Sequence, residues 1–227
     1  MKRLESNLLN MVLSLTFVAV VAAVLLGGLY VITAEPIARQ KAEKQQSAIT
    51  EVLPAIEGLT ISEGEEKDGM TFYKAYLGEE QQGVAVQTEG NGFGGKFKVM
   101  VGFDNDGNVV NYKVLEHQET PGLGDHMTTW FKTDKNNQSI IGKSPEKGNF
   151  TVSKDGGDID AITAATISSR AFLKAVCEAY TAYAETHSGA STLKKEAICI
   201  PETEMTDEAA GEQETETDVE QSNKEQL

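Results

Sequence analysis

From Leu8 to Ile32 the chain runs almost without a polar side chain. At 1.5 Å per residue that run makes a helix of roughly 37 Å, enough to cross a hydrocarbon core of about 30 Å with some tilt. A cleaved export signal has a shorter apolar core, about 7–15 residues, followed by a small-x-small site. Ile32-Thr33-Ala34 is a poor version of that site, so the run reads as an uncleaved anchor, with the stub and the membrane helix occupying 1–34. Tyr30, near the distal end, suits the interfacial position that amphipathic rings prefer. The flanking charges do not choose an orientation, because Lys2 and Arg3 precede the helix and Arg39, Lys41 and Lys44 follow it.

Of the 227 residues, those after the anchor suffice for one domain with its own core, over 35–200. Residues 201–227 form an acidic tail whose composition cannot bury a core and reads as disordered. From Glu202 to Gln226 it carries ten acids against a single base, Lys224, so the net charge of −15 describes the tail more than the domain. Nucleic acid is excluded as a partner, since phosphate binding needs clustered Lys and Arg. With two cysteines, Cys177 and Cys199, and no CxxC, the chain cannot build a cysteine-rich zinc or iron–sulfur site alone. The two could form a disulfide or stay as buried thiols.

Pro36 to Leu53 reads as a helix continuing off the membrane, with Ile37, Ala38, Ala42, Ile49, Val52 and Leu53 on one weak apolar face. Pro54 and Gly58 end it. Thr71–Leu77 and Gly83–Thr88 read as short strands. Lys96–Phe103 and Val109–Leu115 alternate apolar and polar around Asp104-Asn105-Asp106-Gly107-Asn108, a hairpin signature. His117 to Gly148 is loop-rich, Phe150–Val152 could be a strand, and Ile167–Glu185 is an amphipathic helix burying Leu173, Val176, Tyr180, Tyr183 and Ala184. Strands followed by a helix, without βαβ alternation, make the class α+β with antiparallel strands.

Two segments could carry chemistry. Asp160 to Ser169 joins a short apolar stretch to the start of the second helix, with hydroxyls at Thr163, Thr166, Ser168 and Ser169. Unpaired N–H groups and the positive dipole end make this a good place for a phosphate. Ordinary N-capping explains the same residue types. The other segment, His117 to Asp125, contains Glu119-Thr120-Pro121-Gly122-Leu123-Gly124. Pro121-Gly122 sets a tight turn, Gly124 permits close approach of a flat ligand, Glu119 and Thr120 offer polar contacts, and Leu123 offers an apolar face. A plain surface loop would look the same.

Thr163 to Ser169 resembles the S-G-A-T-x-[ST]-S flavinylation motif of FMN-binding domains, and Glu119 to Gly124 resembles their companion signature. With the N-terminal anchor, the chain is similar to the RnfG family, the G subunits of Rnf electron transport complexes. It is similar also to their relatives, the C subunits of sodium-translocating NADH:quinone oxidoreductases. The resemblance implies FMN esterified through its phosphate to Thr166, installed from FAD by a flavin transferase on the extracytoplasmic side. It implies that Glu119, Thr120, Leu123 and Gly124 lie against the isoalloxazine ring, that Lys143 lies near it, and that Thr163 and Ser169 assist in holding the cofactor. It further implies a redox subunit of an ion-translocating membrane complex, anchored by one helix with its domain outside the cell membrane. Through that FMN the chain would carry electrons between the ferredoxin and NAD ends of the complex. A membrane-tethered extracytoplasmic binding module without flavin is the alternative from a different class. Two departures from the motif are Thr163 for Ser, which keeps the hydroxyl, and Ala164 for Gly, which argues against a positive φ at that position.

Other patterns carry less. Gly92-x-Gly94-Gly95 reads as a turn before a strand, not a dinucleotide fingerprint. Asp104-Asn105-Asp106-Gly107 reads as a turn and not a calcium loop, lacking the terminal glutamate. Ser191-x-x-Lys194 lacks the other elements of a serine acyl-transfer site. His117, His126 and His187 have no ligand spacing.

Overall fold

A computed structural model of the protein describes residues 8–188. Lys2, Arg3, Ser191, Lys194, Cys199 and the acidic tail at 201–227 lie outside the described residues. Helix α1 runs unbroken from Leu8 to Val52. Its apolar N-terminal half packs against nothing among the described residues, with Leu13, Phe17 and Leu25 about two-thirds exposed, as a membrane helix must be. Pro36 sits inside it and removes the N–H that would bond the Ile32 carbonyl.

Beyond the apolar half, α1 stands off the domain for several turns. The expected apolar face is met only at its end, where Ala48, Ile49, Val52 and the following Leu53 are buried. Ile37, Ala38 and Ala42 are exposed, since no core residue among those described packs on that stretch of the helix.

Strands β1 (Thr60–Ile61), β2 (Glu65–Lys67), β3 (Met70–Leu77), β4 (Glu80–Asn91), β5 (Lys96–Asp104) and β6 (Val109–Glu116) form one antiparallel sheet in the order β1-β3-β4-β5-β6, with β2 also on β3. Period-two alternation assigns its faces. On β5, Phe97, Val99, Val101 and Phe103 point to the main core, while Met100 points to the other face, beneath the end of α1. Gly102 shares that second face, and a Cβ there would strike the Val52 carbonyl group; the glycine is what lets α1 approach. Asp104 Oδ1 accepts the backbone N–H groups of Asp106 (2.9 Å) and Asn108 (2.8 Å), fixing the β5–β6 turn. Phe150–Val152 forms no strand, only an isolated bridge from Val152 to Ile159.

Helix α2 (Thr166–Ser188) covers the main core face. Phe172 stacks on Phe131 at 4.6 Å and meets Tyr112 edge-on at 4.9 Å, while Tyr183 stacks on Phe103 at 5.1 Å. The expected stripe of Leu173, Val176, Tyr180, Tyr183 and Ala184 is buried throughout. Two 3-10 turns, Gly124–Thr128 and Trp130–Lys132, close the core between sheet and helix.

Polar pairs fix how α1 lies on the sheet. Lys41 Nζ meets Glu116 at 2.9 Å, Gln45 donates to the Tyr73 hydroxyl at 2.6 Å, and Asn111 Nδ2 donates to the Glu51 carbonyl at 3.0 Å. From Lys41 to Glu51 along the helix, the contacts on β6 step back from Glu116 to Asn111, so helix and strand run in opposite senses. The Glu116 end of β6 therefore points back toward the apolar half of α1, and the Asp104–Asn108 turn points away from it.

Candidate functional site

The segment following β6 doubles back through Glu119 to Gly124 and meets the first turn of α2. Ser168 donates its hydroxyl to Glu119 Oε2 at 2.8 Å, and both residues are buried. The other carboxylate oxygen, Oε1, is buried with no hydrogen-bond partner among the described residues. A cradle of glycines makes the space: a Cβ on Gly92 or on Gly124 would collide with the Glu119 carboxylate, and one on Gly94 with the Gln118–Glu119 backbone. The Gly92–Gly95 turn, closed by Gly92 N–H to the Gly95 carbonyl at 2.9 Å, thus packs on the Glu119 loop as well as joining β4 to β5. Its contribution to the site is steric room, which the reading of these glycines as a turn before a strand did not reach.

The turn before α2 is held by Ser169. Its hydroxyl accepts the Ile162 N–H and donates to the Ala165 carbonyl, both at 2.9 Å. Ala165 N–H closes the turn onto the Ile162 carbonyl at 3.0 Å. The residue at the third position of this turn, Ala164, has φ +61°. The expectation that a Cβ here argues against positive φ is not met: the turn imposes the left-handed conformation and the alanine bears it, at a cost of about 1–2 kcal/mol.

Of the four hydroxyls at the helix start, those of Ser168 and Ser169 are engaged and buried, at 1% and 0% exposure. Thr163 is exposed and Thr166, the first residue of α2, is half-buried. The N–H groups of Thr166, Ile167 and Ser168, the first of α2, have no intrahelical acceptors. Beside Thr163 opens a polar groove of about 320 Å³, lined in part by Trp130, Gln138, Ser153, Lys154 and Asp160. Its walls are braced: Trp130 Nε1 donates to the Asp160 carbonyl at 2.9 Å, Ser153 donates to Asp160 Oδ1 at 2.6 Å, and Arg170 grips Asp155 through two 2.7 Å bonds. The Ser153 hydroxyl and then the Asn137 N–H hold the Asp160 carboxyl below its ordinary pKa, and the Arg170 guanidinium does the same for Asp155.

The structure therefore brings Glu119, Gly124, Thr163, Thr166 and Ser169 to one end of the domain. Thr120 and Leu123 lie on the same loop with exposed side chains. Lys143 stands elsewhere. Its carbonyl accepts the Val109 N–H at 2.9 Å, at the opposite end of β6 and roughly 23 Å of strand from Glu116.

A family model described as FMN-binding domain matches residues 92–181, and one described as RnfG N-terminal region matches residues 1–52. The first begins at the Gly92 turn; the second ends where α1 ends. A protein of Aliivibrio fischeri strain MJ11 is 34% identical over 194 residues, covering 77% of this chain and 89% of its own. One of Vibrio parahaemolyticus is 39% identical over 115 residues (47% of this chain, 52% of its own), and one of Vibrio cholerae strain M66-2 is 31% identical over 165 residues (66% and 78%). All three are named as the G subunit of an ion-translocating oxidoreductase complex.

Proposed function

The chain belongs to the RnfG family, the G subunits of ion-translocating oxidoreductase complexes, and from that premise we propose that its FMN-binding domain holds FMN covalently, through a phosphoester on Thr166. The observation that carries the assignment is the state of the four hydroxyls. Ser168 is committed to Glu119 and Ser169 to the turn, leaving Thr163 and Thr166 accessible, and Thr166 matches the acceptor position of the flavinylation motif. At the first position of α2, Thr166 sets a phosphate against unpaired N–H groups and the positive end of the helix dipole.

The residues present suit the group. The glycine cradle and the Glu119–Ser168 bond hold the Glu119 loop in one position, presenting Thr120 and Leu123 toward a flat ring. Bound FMN would supply reversible electron transfer; the chain's own residues position it and set its electrostatic surroundings. The same reading takes a flavin transferase as the partner that loads Thr166. It places the domain, taken as 35–200, on the extracytoplasmic side of the cell membrane, and makes the chain a carrier between the ferredoxin and NAD ends of the complex. It leaves Lys143 outside the ring's surroundings.

Peptide mass spectrometry of the full chain co-expressed with a flavin transferase tests the attachment. An FMN increment on the peptide around Thr166, absent in a folded but colourless Thr166→Ala, is the expected result; an increment on any other residue overturns it. Sidedness is read separately, by labelling Ser222→Cys in intact cells with an impermeant maleimide. Labelling before lysis is expected, and protection until lysis would place the domain inside.

A further inference from the structure

Phe93 is 72% exposed at the tip of the β4–β5 turn, and nothing in the site at Glu119 and Thr166 accounts for an aromatic side chain left in water there. Its height above the membrane follows from α1. Lys41 lies nine residues beyond Ile32 on one unbroken helix, which is about 14 Å. Lys41 contacts Glu116, and Glu116 is paired across the sheet with Lys98, so Lys98 sits near the same level. From Lys98, β5 runs back through Lys96 into the Gly92–Gly95 turn, descending about 10 Å toward the apolar half of α1. Phe93 then stands about 4 Å above the level of Ile32, near the height of Glu35, the first charged residue after the apolar run. Headgroup layers are roughly 5–8 Å thick on each side of the hydrocarbon, so this level lies within them. The turn suits the place: Gly90 to Lys96 contains one base and no acid.

We propose that Phe93 seats in the lipid headgroup layer of the bilayer that α1 crosses, so that the domain touches the membrane at two points. The occupant is the lipid surface, because this chain's own anchor brings it within reach of the side chain. Helix and aromatic together fix the tilt of the domain and hold the Glu119–Thr166 end against the membrane. A helix alone would leave the domain free to lean. The inference does not depend on flavin or on which side of the membrane the domain lies.

The full chain is reconstituted into phosphatidylcholine–phosphatidylglycerol vesicles with and without acyl-brominated lipid, as wild type and as Phe93→Trp. Trp130 is the wild type's lone tryptophan. It lies two residues from Lys132, which reaches Glu51, roughly ten helix residues farther from the membrane than Lys41, so wild-type emission should not respond. The Phe93→Trp protein should show an additional blue-shifted emission that loses most of its intensity with brominated lipid. A second protein carries seven helix-forming residues inserted after Ala38. These raise the domain by about 10 Å while turning it by only about 20°, and quenching should vanish while the thermal melt is unchanged. Unquenched, water-like emission from Phe93→Trp overturns the proposal, as does quenching that survives the insertion. Shielding that appears only when the other subunits are present would assign the surface to a protein partner and also overturn it.

Discussion

The Ser168 hydroxyl meets Glu119 Oε2 at 2.8 Å, tying the first turn of α2 to a loop 49 residues earlier in the chain. This is the one hydrogen bond the described structure gives a carboxylate whose second oxygen is buried without a partner. Removing the donor leaves both oxygens buried and unsatisfied, which costs more than the bond itself is worth. Ser168→Ala should therefore lower stability by about 1–3 kcal/mol. Glu119→Gln keeps an acceptor for Ser168 and should cost less. Chemical denaturation of the two variants and of the double variant checks the order; a double-variant loss equal to the sum of the single losses would mean the pair is not coupled.

Ala164 points the other way. It carries φ +61° in a turn whose third position favours glycine. Ala164→Gly should stabilise the protein by about 1 kcal/mol, the left-handed cost of a Cβ less the extra entropy of glycine in the unfolded chain. A raised melting temperature is the expected outcome. A lowered one would mean the methyl group contributes packing that outweighs its backbone strain.

The contrast between these residues shows what a one-dimensional reading reaches. The alternation of Phe97, Val99, Val101 and Phe103, the Asp104–Asn108 turn and the stripe on α2 were legible because local period and core-facing burial coincide. β1 and β2 were not, because Thr60–Ile61 and Glu65–Lys67 contain no buried residue and so no buried face that would pattern them. The motif at Thr163–Ser169 placed the site. It did not reveal that two of its hydroxyls are committed to structure, since Glu119 becomes the partner of Ser168 only through the tertiary fold. The positive φ of Ala164 was hidden because the residue type argues against it while the surrounding turn imposes it. The Gly92–Gly95 run was correctly read as a turn, but its packing on Glu119 is a contact between hairpins that no local pattern encodes.

Gly102 controls the joint between anchor and domain. It faces the Val52 carbonyl so closely that any Cβ must push α1 away. Displacing α1 uncovers Ala48, Ile49, Val52 and Leu53 together with Ala75, Ala85 and Met100 of the sheet. Gly102→Ala should cost about 1–3 kcal/mol, the usual range for overpacking, and should expose the Ile49–Leu53 segment to limited proteolysis. The main core on the opposite face of the sheet should persist, so a near-native aromatic circular dichroism signal is expected alongside the new cleavage. An intact digestion pattern would show that the helix does not need this close approach.

Glu51 makes the same joint sensitive to acid. Its carboxylate meets Lys113 Nζ at 2.8 Å and Lys132 Nζ at 3.4 Å, joining α1 both to β6 and to the 3-10 turn at Trp130–Lys132. The Lys113 hydrogen bond, which outweighs the opposing effect of burial, together with the charges of Lys113 and Lys132, holds its pKa below the ordinary carboxylate value. A depressed folded pKa means that the unfolded chain binds the proton first as pH falls. The contribution to stability is therefore complete above the unfolded value of about 4.3, and it is lost as pH drops through the folded value beneath it. Because the side chains are 26–46% exposed, solvent screening keeps each pair to roughly a few tenths of a kcal/mol. Glu51→Gln should accordingly melt slightly below wild type at neutral pH and approach it as pH falls below the unfolded carboxylate value. High salt at neutral pH should narrow the gap in the same way. Thermal melts of both proteins across this range, with proteolysis of the Ile49–Leu53 segment as a local probe, provide the measurement. A gap that stays constant with pH would mean that Glu51 acts through packing and not through its charge.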